Sequence, residues 1–301
     1  MKEIRQNSER HNINWFPGHM ARAKRQISED IKKVDAVAEV TDARIPLSSR
    51  NPDILGVISG RPHLIVLNKS DLADARFTEE WVRYYRRENI AAISVDCRSN
   101  KAADSFIKGI KSIMKEKIDK WRLKGMVGRP IKVMITGTPN TGKSTLINRL
   151  SKRSGAKSEN RPGVTRGDQW ITMDKNMELL DTPGILPPKI SSEISQQNLA
   201  FVGSIRDEVI DIGDVSLKLL KFLCDNYPDR LSERYKISID RGETIDPYSM
   251  MEAIGRSRGF LASGGASDFE RTAKMILTEF RSGKLGRITL ETVADTEIKN
   301  K

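Results

Sequence analysis

The chain reads as an α/β protein: a mostly parallel sheet with helices on both faces, followed by a smaller all-helical domain. Three observations predict this. Apolar runs of strand length alternate with helix-period segments from Ala36 to Leu180. The runs are apolar throughout rather than alternating, as in strands buried on both faces. After Gly184 the strand signals cease and apolar residues fall at helical spacing.

Taken in order, residues 1–13 are expected to be disordered and Met20–Lys33 to form a basic amphipathic helix. Ala36–Thr41 (AVAEVT) and Leu64–Leu67 (LIVL) predict parallel strands, with helices around Pro52–Ser59 and Thr78–Glu88. Ala91–Val95 is a third strand candidate. Ser105–Leu123 predicts one long amphipathic helix, and Lys124–Pro130, with its glycines and proline, a connector. Ile131–Thr136 (IKVMIT) predicts a strand running into a glycine-bearing loop and a helix from Lys143. Ile171–Met173 and Glu178–Leu180 predict a hairpin around Asp174–Asn176. Beyond Pro187-Pro188, Val215, Leu219, Phe222 and Leu223 share a helical spacing, as do Phe269, Ala273, Ile276 and Phe280. A short strand is expected at Arg287–Leu290 and a solvated tail over residues 291–301. These features place an α/β domain at residues 14–190 and a helical, basic domain at residues 192–290.

With 301 residues, 38% of them apolar, the chain is long enough for a large core or two smaller ones. Its net charge of +12 favours polyanionic partners, nucleic acid before membrane. Cys97 and Cys224 are the two cysteines, far apart and without Cys-x-x-Cys partners, which excludes a disulfide framework and argues against zinc. A reducing, cytoplasmic setting is expected. No apolar run approaches the roughly 20 residues that span a bilayer. The polar start, MKEIRQNSERHNINWFPGHM, has no apolar stretch of the kind a secretory signal needs, and no lipidation motif is evident.

Gly137-Thr138-Pro139-Asn140-Thr141-Gly142-Lys143-Ser144 fits G-x-x-x-x-G-K-[ST] and lies between a predicted strand and a predicted helix, the context that gives the motif meaning. Its glycines let a loop wrap tightly with N–H groups pointing inward, and the helix N-terminus adds its positive dipole end. Lys143 would reach the β- and γ-phosphates, Ser144 would offer a hydroxyl to Mg²⁺, and Thr145 continues the phosphate-lining turn. Asp181-Thr182-Pro183-Gly184 follows an apolar strand; Asp181 would hold Mg²⁺ and Gly184 would present its N–H to the γ-phosphate. Between them, Arg161-Pro162-Gly163-Val164-Thr165-Arg166 is a loop from which Thr165 would reach the same ion when the γ-phosphate is present.

Asn68-Lys69-Ser70-Asp71 supplies the base preference. A carboxylate at Asp71 accepts from both N1–H and N2–H₂ of guanine, whereas adenine presents an acceptor at N1 and no amino group there. Lys69 would lay its stem along the base and Asn68 would brace the loop. Ser94-Val95 is expected to offer a backbone N–H to the guanine O6. The pattern therefore predicts GTP and GDP as ligands. Its order is unusual, for N-K-x-D precedes the phosphate loop and does not recur after Gly184. The same site can be built from either order when chain ends lie close together.

That order, together with WFPGHMARA, DARIPLSSRNP, LNKSD, GTPNTGKSTLIN, RPGVTRGDQW and LLDTPGIL, resembles the circularly permuted GTPases of the ribosome biogenesis GTPase A (YlqF/RbgA) type. The resemblance is strong from Asn14 to Pro187 and weaker beyond. It implies a circularly permuted P-loop GTPase domain ahead of the helical domain. It also implies GTP hydrolysis stimulated by a large ribosomal subunit precursor late in assembly, with rRNA met by the C-terminal domain and ribosomal proteins nearby. A monomer is expected.

Ile185 stands where many GTPases carry a water-orienting glutamine, so another group must serve. His19 matches the family's candidate histidine in P-G-H-M, as general base or water-orienting group. Asn140 matches the asparagine that helps hold K⁺ in potassium-stimulated GTPases, where the ion steadies charge between the β- and γ-phosphates. Asp42-Ala43-Arg44-Ile45-Pro46 resembles a family signature or is a strand-end turn with a salt bridge; no chemistry is assigned to it. Trp15 and Phe16 either stack on an RNA base or anchor the N-terminal segment. Lys218, Lys221, Arg256, Arg258, Arg271, Lys274, Arg281, Lys284 and Arg287 are the candidate rRNA surface. The rival readings are a GTP-gated RNA-binding module with negligible hydrolysis, and a P-loop ATPase or nucleotide kinase unrelated to ribosomes.

Overall fold

The computed structural model describes residues 25–58, 60–154, 169–174, 176–186, 190, 192–239, 246–262 and 265–299. His19 and Thr165 lie outside them, as do Trp15, Phe16 and residues 20–24 of the expected first helix. What is described of that helix, α1, covers residues 25–30 and tightens into a 3-10 turn at Ile31–Lys33.

Six strands form one sheet: β1 (Ala36–Asp42), β2 (His63–Asn68), β3 (Ala91–Ser94), β4 (Ile131–Thr136), β5 (Gln169–Asp174) and β6 (Met177–Asp181). Their order is β3-β2-β1-β4-β6-β5, parallel throughout except for β5, which pairs antiparallel with β6. The chain builds outward in one direction from β1, returns to the middle, and builds outward in the other direction from β4. Every residue of β1 is buried, which is why its run lacks alternation.

On one face, Ala38, Val40, Val66, Val133, Ile135 and Leu179 pack beneath α4 (Ala102–Ile113), α5 (Lys115–Leu123) and α6 (Lys143–Ser154). On the other, Val37, Met134 and Leu180 meet Ile27 of α1 and Ile58 of α2 (Pro52–Ile58), and Ile65 and Leu67 meet Trp81 and Tyr85 of α3 (Ala75–Arg87). The helix expected over Ser105–Leu123 starts earlier and is two helices. The break falls at Met114, fully buried against the sheet at φ −97° and ψ 0°, which lets α5 leave the surface that α4 follows.

Past the sheet, α7 (Glu193–Phe201), α8 (Ile212–Asn226), α9 (Pro228–Tyr235), α10 (Pro247–Ser257) and α11 (Phe269–Arg281) enclose a second core of Leu199, Leu219, Leu223, Met251, Ile254, Ile276 and Phe280. Asp211, Asp246 and Asp268 cap α8, α10 and α11 with their carboxylates, the usual answer to unpaired N–H groups at a helix start. Fold and expectation agree here: a parallel-dominated sheet sandwiched by helices, then helices alone.

Two expectations are corrected. Arg287–Leu290 forms no strand, and the chain bends at Arg287 and Leu290; Ile288 and Leu290 donate to the carbonyls of Leu72 and Arg44, loop groups rather than a ladder. Residues 291–299 are not a solvated tail. Glu291 is buried, Trp81 Nε1 donates to its carbonyl at 2.9 Å, and α12 (Ala294–Lys299) follows. Several of the expected rRNA-facing cations have partners within the chain: Arg281 caps the end of α7 and pairs with Asp207, Arg258 lies over Tyr235, and Lys218 pairs with Asp214. Lys221, Lys284 and Arg287 are exposed.

Candidate active site

Loops leaving the carboxyl ends of β1, β2, β3, β4 and β6 gather at one edge of the sheet. The building direction reverses between β1 and β4, and ligands of open α/β sheets bind outside the strand ends at such a reversal. The phosphate loop leaves β4 there.

Only glycine fits two of its positions. A Cβ on Gly137 (φ +149°) would lie 2.2 Å from the Val40 carbonyl oxygen, and one on Gly142 (φ +96°) 2.1 Å from Asn68 Nδ2. Thr141 Oγ1 donates to the Thr138 carbonyl at 2.9 Å, and Thr138 Oγ1 to the Ser49 carbonyl at 3.1 Å. Asn140 is left-handed at φ +60°; its Nδ2 donates to the Gly203 carbonyl at 2.5 Å. Ser204 Oγ donates to the carbonyl of Pro139 at 2.9 Å. Lys143 is buried at the start of α6, its ammonium donating to the carbonyls of Gly137 and Thr138 at 3.0 and 3.1 Å. Burial pushes its pKa down to about 8 against the opposing charge of Asp181. Burial likewise raises the Asp181 carboxyl, with Lys143 pulling the other way. Ser144 and Thr145 are exposed on the first turn. Gly184 closes against this group: a Cβ there would sit 2.8 Å from Lys143 Nζ and 3.2 Å from Pro139 backbone atoms.

On the base side, Asn68 ends β2. Its Nδ2 donates to the Thr141 carbonyl at 2.7 Å and its Oδ1 accepts from the Cys97 N–H at 3.0 Å. One side chain thus joins three loops. Lys69 is left-handed at φ +59°, a conformation a lysine keeps only when its surroundings hold it. Its ammonium lies 2.9 Å from Asp42 Oδ2. Asp71 accepts from Arg98 through Oδ2, while its Oδ1 is buried with no hydrogen-bond partner. A buried acceptor without a donor is costly, and this one belongs to the residue that N-K-x-D assigns to the guanine edge.

Asn68, Lys69, Asp71, the phosphate loop, Asp181 and Gly184 therefore converge. The part expected of Val95 is corrected: its N–H is spent in the ladder, donating to Leu67 at 2.9 Å, while its carbonyl accepts from Ser70. Ser94 is exposed at the end of β3. Ile185 is buried in an apolar cluster and its N–H reaches the Gly137 carbonyl at 3.3 Å, so it offers no group to water. Arg98 and Arg149 went unnoticed in the sequence. Arg149 of α6 donates to the carbonyl of Arg98 and, at 2.7 Å, to Asn100 Oδ1, fastening the loop after β3 to the phosphate-loop helix. No local pattern marks either arginine.

Comparison with known proteins decides the family. Residues 132–240 match the model described as 50S ribosome-binding GTPase, a stretch that holds the phosphate loop and Gly184 but not Asn68–Asp71. A Bacillus cereus protein named ribosome biogenesis GTPase A is 45% identical over 280 residues, 93% of this chain and 94% of that one. The chain belongs to the ribosome biogenesis GTPase A family. A Priestia megaterium protein of the same name is 43% identical over 286 residues, 95% of this chain and 98% of its own. GNP-bound YlqF from T. maritima superposes with a TM-score of 0.62 at 29% identity, covering 90% of this chain and 98% of that one. The matches to ribosome biogenesis GTPase A run through the helical domain as well as the sheet.

Proposed function

We propose that this protein binds and hydrolyses GTP as a switch in late assembly of the large ribosomal subunit, working as a cytoplasmic monomer on rRNA and ribosomal proteins of the precursor. The family name supports the setting. The observation that carries the guanine assignment is the orphaned Oδ1 of Asp71, on a loop that Asn68 ties to the phosphate loop.

In this reading Asp71 takes the guanine edge, Lys69 lies along the base, and Thr138 to Thr145 line the phosphates with Lys143 on the β- and γ-oxygens. Arg98 gives up Asp71 as the base arrives. Oxygen donors at Ser144 and Asp181 flank Lys143, the donor set that suits Mg²⁺, an ion that keeps waters and phosphate oxygens for its other positions. Ser144, Asp181 and Thr165 would hold Mg²⁺, which neutralises phosphate charge. With its Nδ2 spent on Gly203, Asn140 keeps an amide oxygen for K⁺. Since Ile185 cannot orient water, His19 is the residue proposed for that task. Gly184 reads the γ-phosphate, and its loop leads directly into the helical domain. Lys221, Lys284 and Arg287 are the cations proposed to meet rRNA.

Titration with GTP, GDP and ATP in magnesium buffer tests the ligand. Asp71→Asn should weaken GTP binding and create binding of xanthosine triphosphate, whose 2-oxo group pairs with an amide donor. Hydrolysis measured with and without large-subunit precursors tests the setting. Indifference of the wild type to guanine nucleotides would defeat the proposal.

A further inference from the structure

Asp42 and Arg44, in the D-A-R-I-P segment, have no part in the chemistry above, yet both are buried at the edge of the nucleotide site. Asp42 ends β1 beside Asn68, its register partner on β2. One of its oxygens is shared: Oδ2 accepts from Lys69 Nζ at 2.9 Å and from Arg44 Nη2 at 2.8 Å, while Oδ1 accepts from Arg44 Nε at 3.0 Å. This bidentate grip fixes the guanidinium plane. The guanidinium lies over the ring of Phe280, 5.1 Å from its centroid, and Nη1 reaches the Phe280 carbonyl at 3.5 Å. Phe280 is the last residue but one of α11 in the helical domain. Leu290 N–H donates back to the Arg44 carbonyl at 2.8 Å, and Ile288 N–H to Leu72, just after the base-reading motif, at 2.9 Å.

The neighbouring residue, Arg281, faces the other half of the site. Its guanidinium donates to the carbonyls of Ala200 and Phe201 at 2.8 and 3.0 Å, holding the turn whose Gly203 carbonyl accepts from Asn140 of the phosphate loop. The C-terminal end of one helix is therefore linked, through short chains of contacts, to both the loop that reads the base and the loop that wraps the phosphates.

We propose that Arg44 is a positioning residue for the guanine contact, acting through Asp42 on Lys69, and that its seat on Phe280 makes the grip on guanine depend on how the helical domain is docked. Lys69 holds its left-handed backbone through this chain of contacts, and Asp71 follows two residues later on the same turn. A particle that shifts α11 would disturb the seat of Arg44 and so loosen the grip on guanine. The reverse holds by thermodynamic necessity: guanine nucleotide tightens the seat of residues 280–290.

The inference rests on Asp71 reading guanine, and the test separates the two. Affinities for GDP and for inosine diphosphate, which lacks the 2-amino group, are measured for wild type, Arg44→Ala, Arg44→Lys and Phe280→Leu. Wild type should prefer GDP; no preference overturns the Asp71 assignment and this proposal with it. Arg44→Ala should weaken GDP about tenfold, the scale of one charge-assisted hydrogen bond, and shrink the preference by a similar factor. Arg44→Lys and Phe280→Leu should shift the preference the same way by smaller factors, which keeps the test alive should the alanine variant not fold. Wild-type preference with equal losses for both nucleotides in the variants would leave the base assignment standing and overturn the positioning role. Independently, GDP should slow amide exchange over residues 280–290 of the unaltered protein; unchanged exchange overturns the coupling.

Discussion

Asn68 donates its side-chain amide to the carbonyl of Thr141 over 2.7 Å, so the strand that presents the base-reading motif is bonded to the loop that wraps the phosphates. The same side chain accepts from Cys97 N–H at 3.0 Å. Asn68→Ala strands both buried partners, and each orphaned group costs about 1–3 kcal/mol where water cannot replace the bond. Melting should fall accordingly, and GDP affinity should drop by more than about tenfold because the two loops lose register. Thermal denaturation and fluorescent-nucleotide titration read the two effects separately. Unchanged affinity would mean that the loops hold each other by other means.

Gly184 allows a different separation. A Cβ there meets Lys143 Nζ at 2.8 Å and Pro139 backbone atoms at 3.2 Å. The ammonium can swing aside; the backbone has little room. Gly184→Ala should leave the fold and GDP binding nearly intact, since Gly184 is assigned only to the γ-phosphate. It should lower hydrolysis at least about tenfold by displacing the N–H at position 184, while the flexible Lys143 keeps its reach to the β-phosphate. Steady-state turnover beside a GDP titration decides it. Equal losses in both would place Gly184 in general nucleotide binding.

Residues near one another in sequence announced most of this site. The apolar runs of β1, β2 and β4, buried on both faces, could be read without alternation, and the glycines at 137 and 142 mark positions that only glycine occupies. Asn68 and Asp71 were legible because their spacing carries chemistry. What stayed hidden depends on separation in the chain. Glu291 looks like an ordinary tail residue until Ser48, over two hundred positions earlier, wraps it. Arg44 looked like half of a local salt bridge because nothing nearby foretells Phe280. Val95 ended a plausible strand, but whether its N–H faced the ladder or the base turned on register, which a four-residue run does not declare. Met114 split a helix because tertiary burial overrode a continuous helical pattern.

The basic surface of the helical domain is narrower than its sequence suggests, because Arg258 and Arg281 are engaged within the fold. Lys221, Lys284 and Arg287 are exposed. Converting the three to glutamate should weaken binding to large-subunit rRNA and flatten its dependence on salt, by about 0.7 in log–log slope for each phosphate left without its cation. GDP affinity should stay within about threefold, since the nucleotide loops are held by other side chains. Filter binding across a salt series measures the slope. An unchanged slope would move the rRNA surface elsewhere.

Glu291 gives the protein a pH signature of its own. Its buried carboxyl accepts from the N–H groups of Leu47 and Ser48 at 2.7 and 3.0 Å, from the Ser48 hydroxyl, and from Asn198 Nδ2 at 3.1 Å, all neutral donors. Burial raises its pKa above the ordinary 4.5, and these hydrogen bonds offset only part of the rise. The folded state therefore holds this proton more tightly than the unfolded chain does. Stability from Glu291 is greatest below about pH 4.5 and declines as pH climbs through the raised folded pKa. Buried acids such as Asp42, whose carboxyl Arg44 and Lys69 hold far below the usual range despite its burial, act in the opposite sense and mask the effect in the wild type alone. Comparison with Glu291→Gln isolates it. The amide turns a donor toward Ser48 or Asn198 and should cost about 1–3 kcal/mol. The stability gap between wild type and variant should be widest in acid and narrow toward neutrality. Chemical denaturation of both proteins from pH 4 to 8 measures the gap; one that widened with rising pH would mean that the fold favours the ionised carboxylate.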